Sequence, residues 1–423
     1  MTHIYYKNYH ENVYYDTLKN GINIVVLPNQ HVKTTYVALA LPFGASHLMF
    51  RDGEKEILLP EGSAHFFEHK IFASKHGDMF SKFVQLGLDP NAMTTYDTTS
   101  YYFSSTKHIY EGIDLLFDLL NEAYFTDANI ESERHIINEE IHMDLDDVMT
   151  PLYQQLYRNM YAQHPIKSDI LGTIESIANI DKKTLSWIHQ NIYQDDRKTL
   201  FISGNVDIDV LRVYLDKKNN EVISKTRNIE FVTPNEDMKI VKSRDEVVKD
   251  MTISRLLLGI KLPHQSDEIA FHKMKQSIYM TLHVLIGDAS DSHQTWIEKG
   301  FIHQSVQFQI THLKYADHVT IHVPTNHPDL MLADIEKALE QDIAQVLTYE
   351  NFLRLKKVMT AANIMSLDHN EHKMFQYMSV YFKGISLYDV MDALHALEYE
   401  DVIRYGNAFK TFSKSVLIAR KKD

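Results

Sequence analysis

The chain has 423 residues, no cysteine, and 43 basic against 57 acidic side chains, which gives a net charge of −14. The lack of cysteine excludes disulfides, thiolate metal sites, iron–sulfur clusters and a cysteine nucleophile, and the negative charge argues against non-specific nucleic-acid binding. At roughly 150 residues per domain, this length predicts two or three domains.

The first half of the chain reads as alternating strands and helices. Short β-branched or alternating segments bounded by turn residues predict strands, and amphipathic segments predict helices, the first of them after Pro60. The predicted strands are 21–28, 35–42, 91–96, 99–106 and 198–204, and the predicted helices after the first are about 77–86, 109–122, 128–149, 150–162, 181–191 and 208–218.

The second half repeats this order of strands and helices after a charged segment without strong periodicity. We expect that segment, 221–250, to be a linker between two domains over 1–220 and 251–423. The predicted strands of the second half are 252–262, 303–311, 316–324 and 414–419, and the predicted helices are 266–286, 327–345, 349–365 and further helices to about 408. The shared order predicts a duplicated α+β domain.

The ends of the chain carry no recognisable targeting segment. No basic segment followed by an apolar one opens the sequence, and no run of about 18 apolar residues occurs. We therefore expect a cytoplasmic protein without a membrane span.

The strongest chemical motif is His65-Phe66-Phe67-Glu68-His69. In a helix, histidines four residues apart project from one face, which suits two ligands of a tetrahedral zinc, and Glu68 can reach a water on that metal. Two ordinary helix histidines, one of them salt-bridged, are the alternative, and the 24 histidines of the chain raise the chance of such a match.

A third zinc ligand is needed, and an acidic segment about 70 residues downstream offers two candidates. Glu133 and Glu140 are seven residues apart, so they share one face of a helix whose buried side we predict from Ile136, Ile137 and Ile141. One could ligate zinc while the other holds a ligand imidazole. An acidic face in solvent is the alternative.

Taken together, these segments resemble the pitrilysin, insulysin and mitochondrial processing peptidase family of zinc peptidases with an inverted HxxEH motif. The phrases AHFFEHKIF and HPIKSDILGTIESI are most similar to its YmfH-type bacterial subgroup. The resemblance is carried in order by Leu27-Pro28-Asn29, Phe43-Gly44, Glu61 to His65, Gly87 with Asn91 to Thr94, Thr99 with Tyr101, His164-Pro165, Leu171 to Thr173 and Gly204 to Asp207.

The resemblance implies a function and a role for each candidate residue. It implies two similar domains, each a mostly antiparallel sheet packed against helices, that form half of a clam-shell chamber for peptides or small unfolded proteins. Within it, His65, His69 and Glu140 would bind zinc, Glu68 would be the general base, and Glu133 would orient a ligand histidine. Asn91 and Ala92 would lie on an edge strand that pairs with the substrate backbone.

One feature of the family is missing. Active members supply an Arg and a Tyr from the second domain, and the corresponding segment here, Thr295 to His303, holds neither at the expected positions. His303 replaces the Tyr, as a donor or as an ordinary strand residue. We therefore expect a heterodimer with a zinc-less family paralogue that supplies the pair. A noncatalytic scaffold subunit of the same family and a His-rich metal-binding protein are the alternative functions.

Overall fold

The structure is a computed structural model that describes residues 1–75, 77–218 and 229–422. Its strands are β1 (Thr2–Tyr6), β2 (Glu11–Thr17), β3 (Asn23–Pro28), β4 (Thr35–Leu41), β5 (Met49–Asp52), β6 (Lys55–Leu58), β7 (Ala73–Ser74), β8 (Gly77–Asp78), β9 (Asp89–Thr94), β10 (Thr99–Ser105), β11 (Thr199–Gly204), β12 (Ile229–Val232), β13 (Arg244–Lys249), β14 (Arg255–Lys261), β15 (Gln307–Thr311), β16 (His318–Pro324) and β17 (Lys414–Lys421). Its helices are α1 (Ser63–Lys70), α2 (Met79–Gln85), α3 (Ile109–Asn121), α4 (Asp127–Asp146), α5 (Thr150–Met160), α6 (Ile174–Ala178), α7 (Lys182–Asn191), α8 (Ile208–Lys218), α9 (Glu268–Ile286), α10 (Asp291–Glu298), α11 (Pro328–Leu339), α12 (Ile343–Val346), α13 (Tyr349–Ser366), α14 (Asn370–Tyr381), α15 (Leu387–His395) and α16 (Tyr399–Phe409). Among the described residues, no helix is long and apolar enough to cross a membrane.

Most predicted elements are present with shifted ends, and polar caps explain two of the shifts. The helix predicted from about residue 77 begins at Met79, because the Asp78 carboxylate accepts the Phe80 N–H and caps it. The helix predicted over 327–345 is interrupted after Leu339, and Asp342 caps the next helix, α12. The strand predicted from residue 303 begins at Gln307.

The first compact unit is built on a seven-stranded sheet in the order β1-β2-β3-β11-β4-β10-β9. Its contacts are antiparallel except between β3 and β11. Helices α1, α2 and α3 pack against its β4, β9 and β10 strands, over fully buried side chains such as Leu39 and Phe103. Because β9 is the last strand of this sheet, one of its edges pairs with β10 and the other has no partner strand among the described residues.

The second compact unit repeats part of this sheet. Its five strands run β13-β17-β14-β16-β15, with a parallel contact only between β13 and β17. This order and these directions match those of β3-β11-β4-β10-β9 in the first unit. The predicted fold class, α+β with two similar domains of mostly antiparallel sheet and helices, is confirmed.

Neither unit is a single contiguous piece of chain, which differs from the predicted ranges 1–220 and 251–423. The first unit contains Met1–Met143, Ser168–Thr233 and Ile364–Tyr388, and the second contains Asp144–Lys167, Pro234–Asn363 and Asp389–Asp423. Each unit therefore includes one helical segment from the other half of the sequence.

Close packing explains why each of those segments belongs to its unit. In the second unit, α5 lies on β14 and β17, and a Cβ atom at Gly259 would come within 2.1 Å of the Met160 sulfur. In the first unit, α14 lies on β11 and β4, and the Ser203 hydroxyl donates to the Asn370 carbonyl at 3.1 Å.

The predicted linker, 221–250, contains two strands in its described part. Residues 221–228 lie outside the described residues. Beyond them, β12 pairs with β5, and β13 pairs with β17 at the edge of the second sheet. The charge of this segment concealed the strands, because an edge strand in solvent carries little apolar alternation.

The same segment supplies a buried carboxylate that organises the second unit. Glu236 accepts backbone N–H bonds from Ala162, Gln163 and His164 at 2.8–3.0 Å, and its carboxylate lies 3.1 Å from the Lys261 ammonium. The Glu236 and Lys261 side chains are only 2% and 3% exposed. Burial raises the pKa of Glu236, but the backbone N–H bonds and Lys261 outweigh burial and leave that pKa lowered.

We expect Glu236→Gln to destabilise the protein by about 3 kcal/mol, because it leaves the Lys261 charge buried without its partner. Urea unfolding at neutral pH measures this loss. Since the folded-state pKa of Glu236 is lowered, its contribution is present above the unfolded pKa of about 4.3 and is lost as pH falls through the folded value. Glu246→Gln, at an exposed pair with Arg420, is the control, and an equal loss there would contradict the prediction.

Candidate metal centre

The helix α1 starts at a glycine that no other residue could replace without displacement. Gly62 has φ of 83°, and a Cβ atom there would come within 2.3 Å of the Leu171 carbonyl oxygen. Across this contact, Gly172 has φ of 77° and would place a Cβ atom 2.6 Å from the Glu61 carbonyl oxygen. The two glycines of the sequence motifs thus let the loop at 171–172 hold the start of α1.

His65 and His69 lie on one partly exposed face of α1. Their ring centroids are 4.5 Å apart, and their side chains are 13% and 22% exposed. Phe66 and Phe67, between them in sequence, are fully buried in the core of the first unit. The apolar side of α1 therefore fixes the direction in which the two imidazoles project.

Glu140 of α4 completes a group of three possible metal ligands. One ligand atom from each of His65, His69 and Glu140 lies within 4.8 Å of the others, and these residues could hold a metal ion. The Glu140 Oε2 atom is 3.8 Å from His65 Nε2 and 3.7 Å from His69 Nε2. Glu140 is brought here by Ile137 and Ile141, the buried side of α4. Ile136 is 50% exposed, so its predicted burial is wrong, because it lies about 100° round the helix from Ile137.

This donor set fits zinc. Two nitrogens and one carboxylate oxygen form a typical catalytic zinc set, and two ligands of a tetrahedral zinc with bonds near 2.1 Å are about 3.4 Å apart. The observed Nε2–Oε2 separations are a few tenths of an ångström longer. Burial, followed by the neighbouring charge of His69, lowers the pKa of His65 to about 3, so that imidazole is neutral and able to act as a ligand at neutral pH.

Glu133 contacts the second histidine. His69 Nδ1 lies 3.1 Å from Glu133 Oε1, and the Lys70 ammonium donates to Glu133 Oε2 at 2.9 Å. Burial raises the pKa of Glu133, but the bonds from His69 and Lys70 outweigh burial and lower that pKa to about 2. Burial lowers the pKa of His69, but the bond to Glu133 and the charges of Glu68 and Glu140 outweigh burial and leave that pKa raised. With Nδ1 bonded to Glu133, Nε2 is the nitrogen on the side of Glu140, and a metal ion would bind there in competition with a proton.

Glu68 lies beside this group with one oxygen held by a neighbour. The Thr94 hydroxyl donates to Glu68 Oε2 at 3.0 Å, and the residue is 8% exposed. Burial is the main reason that the pKa of Glu68 is raised. The sequence placed Thr94 only within a family motif and gave no contact for it, because a contact between α1 and the end of β9 depends on tertiary packing.

Asn91 and Ala92 lie on the edge strand β9, opposite Tyr102 and Tyr101 of β10. Asn91 is exposed, and its side-chain oxygen accepts the Ala92 N–H at 2.8 Å. Thr94 ends the same strand, so the free edge of β9 leads to the residue that bonds Glu68.

The segment that lacks the family's Arg and Tyr is ordinary structure in the second unit. Trp296 of α10 is buried, and its indole N–H donates to Asp334 at 3.2 Å. His303 is exposed in a bend before β15, so the expectation that it is a strand residue is wrong.

Comparisons with known proteins agree with the motifs. Residues 27–174 match the family model described as Insulinase (Peptidase family M16). The chain is 29% identical over 405 residues to a protein of Bacillus subtilis named as the uncharacterized zinc protease YmfH, with 94% of each chain covered. It is 24% identical over 301 residues to the mitochondrial-processing peptidase subunit beta of Neurospora crassa, covering 68% of this chain and 60% of that one.

A solved structure extends the similarity to the whole fold. An M16-like peptidase from Alicyclobacillus acidocaldarius is 26% identical and has a TM-score of 0.91, over 97% of this chain and 99% of that chain. The residues matched by the family model include both histidines, Glu68, Glu133 and Glu140.

Proposed function

We propose, from its similarity to the insulinase family, peptidase family M16, that this chain is a member of that family and a zinc-dependent endopeptidase subunit that hydrolyses peptides or small unfolded proteins. One observation carries the proposal. Ligand atoms of His65, His69 and Glu140 lie within 4.8 Å of one another, and Glu68 stands next to His69 in the same helix.

In this proposal His65 Nε2, His69 Nε2 and a Glu140 oxygen hold the zinc. A bound zinc ion supplies Lewis-acid polarisation of a peptide carbonyl and a water nucleophile at neutral pH. Glu133 keeps the His69 proton on Nδ1, so that Nε2 remains the ligand atom.

Glu68 is the proposed general base. It removes a proton from the attacking water and passes that proton to the leaving amine. Thr94 occupies Glu68 Oε2, which leaves Oε1 for the proton. The raised pKa of Glu68, caused mainly by burial, moves the group toward the range in which a carboxyl both accepts and returns a proton.

The peptide would bind by adding a strand to the free edge of β9. Backbone pairing of this kind tolerates many sequences, so we expect loose specificity. Asn91 and Ala92 lie on that edge, and the peptide carbonyl that pairs with the Ala92 N–H would displace the Asn91 side chain that now accepts it.

We also propose that the subunit works with a zinc-less family paralogue, together enclosing a chamber, in the cytoplasm. The missing Arg and Tyr motivate this proposal, and a relative named as the beta subunit of a processing peptidase supports it. Hydrolysis by the purified chain alone, as fast as with the paralogue, would refute the need for a partner.

Metal removal tests the central proposal. We expect a chelator to abolish cleavage of a quenched peptide by the chain and its paralogue, and one zinc per chain to restore it. Zinc measured by atomic emission should reach one equivalent. Several weakly held ions per chain would instead support a His-rich metal-binding protein, and one tight zinc without hydrolysis would support a scaffold subunit.

A further inference from the structure

Lys70 is a buried lysine directly beside the candidate metal ligand His69. Its side chain is only 6% exposed, and its ammonium lies 2.9 Å from Glu133 Oε2. Burying a lysine charge is costly unless it is paired and hydrogen-bonded. A long apolar side chain would fill the same position in α1 at no such cost, so the ammonium needs an explanation.

The two oxygens of Glu133 are divided between two neighbours in α1. Oε1 accepts from His69 Nδ1 at 3.1 Å, while Oε2 accepts from Lys70 at 2.9 Å. The carboxylate plane is therefore fixed by two bonds of different direction. Without Lys70, Glu133 would be held by the imidazole alone, and the 14% of its side chain that is exposed would offer water as a competing partner.

The two histidines differ in how their orientation is fixed. His65 Nδ1 is buried and has no hydrogen-bond partner among the described residues, whereas His69 Nδ1 is bonded to Glu133. Only the His69 ring is thus held by a carboxylate in the orientation that directs Nε2 toward Glu140, at 3.7 Å.

We propose that Lys70 is a positioning residue of the metal centre, which acts through Glu133 to fix the tautomer and the ring orientation of His69. This inference rests on the proposed zinc site and adds a residue that the zinc motif does not contain. It extends the chain of contacts from the metal ligand to Glu133 and then to a buried cation.

Electrostatic repulsion between Lys70 and zinc opposes the positioning effect, so the two must be compared to predict whether Lys70→Met weakens or strengthens zinc binding. A lysine charge repels a zinc ion, so its removal alone would strengthen zinc binding. However, Lys70 and Glu133 form an ion pair, and Glu133 is the member of that pair that contacts His69. The net charge of the pair near the imidazole is therefore close to zero. We therefore expect the loss of orientation to exceed the loss of repulsion.

The test is zinc titration of the metal-free full-length chain against a competing chelator. Removal of groups that orient a metal ligand weakens binding about 10–100-fold, and we expect about a tenfold higher dissociation constant for Lys70→Met. Lys373→Met is the matched control, because Lys373 is 0% exposed and pairs at 3.1 Å with Glu11, which is 16% exposed. The control should bind zinc as the unaltered chain does.

A double-mutant cycle separates positioning from a general packing role. If Lys70 acts through Glu133, Lys70→Met should not weaken the zinc binding of a Glu133→Gln chain, where removal of the unpaired lysine charge can only tighten it. The double variant leaves no buried charge without a partner, so it remains testable if Lys70→Met alone fails to fold.

Three results would overturn the inference. Equal or tighter zinc binding by Lys70→Met, or an undiminished effect in the Glu133→Gln background, would refute the positioning role while leaving the zinc site intact. Failure of the unaltered chain to bind zinc would refute the proposed function itself, and the inference with it.

Discussion

Replacing Glu68 by glutamine is expected to lower the turnover of peptide cleavage by about 10²- to 10⁴-fold, the range for loss of a general base. Glutamine has nearly the same shape and can still accept the Thr94 hydroxyl bond at 3.0 Å, but it cannot take up a proton. Zinc content should therefore stay at one per chain. Single-turnover cleavage of a quenched peptide, with zinc measured on the same samples, checks both expectations.

Glu139→Gln is the control for this experiment. Glu139 is exposed, lies next to Glu140 in α4, and points about 100° round the helix from it. It should keep both zinc and activity. If Glu68→Gln retained full turnover, Glu68 would not be the base, and if Glu68→Gln lost zinc as well as turnover, the experiment would have removed the site rather than the base.

The inner strands and most of the helices could be predicted from the sequence, whereas the outer strands and the helices α6 and α10 were not predicted. The strands β3 and β4 consist almost entirely of buried apolar residues, and their β-branched composition and short length between turn residues predict strands. In contrast, β1 is exposed along nearly all its length, and Val13 is the one fully buried residue of β2. These strands are held by pairing and by ring contacts such as Tyr6 with Tyr388, 4.1 Å apart, and neither signal is local in sequence.

The sequence also did not indicate that each unit contains a helix from the other half of the chain. Helices α5 and α14 were predicted as helices, but which sheet each one covers depends on distant residues. Gly259, whose Cβ position is occupied by the Met160 side chain, explains one placement only after both partners are known.

Within the site, the sequence identified the candidate metal ligands but not the residues that hold Glu133 and Glu68 in place. The spacing of His65 and His69 places both on one face, and the family resemblance distinguished Glu140 from Glu133. Nothing local indicated that Lys70 bonds Glu133 or that Thr94 bonds Glu68. Those contacts join α1 to α4 and to β9. The sequence carried a signal for Lys70 alone, a charged residue directly before the apolar Ile71 and Phe72.

Replacing His69 by alanine is expected to weaken zinc binding by more than the roughly 100-fold that an orienting residue costs, and to reduce peptide cleavage to background. The substitution removes one of the three candidate ligands, and it also leaves Glu133 without the imidazole to which it is hydrogen-bonded. Titration of the metal-free chain against a strong chelator measures the dissociation constant.

His135→Ala provides the matched control, because His135 lies in the same helix as Glu140 but its side chain is 75% exposed. It should keep zinc affinity and activity, so a general effect of losing one of the 24 histidines would be visible there. If His69→Ala bound zinc as tightly as the unaltered chain, the metal would be held by other residues, and the assignment of His65, His69 and Glu140 would be wrong. Loss of zinc only in His69→Ala would tie metal binding to the face of α1 that carries both imidazoles.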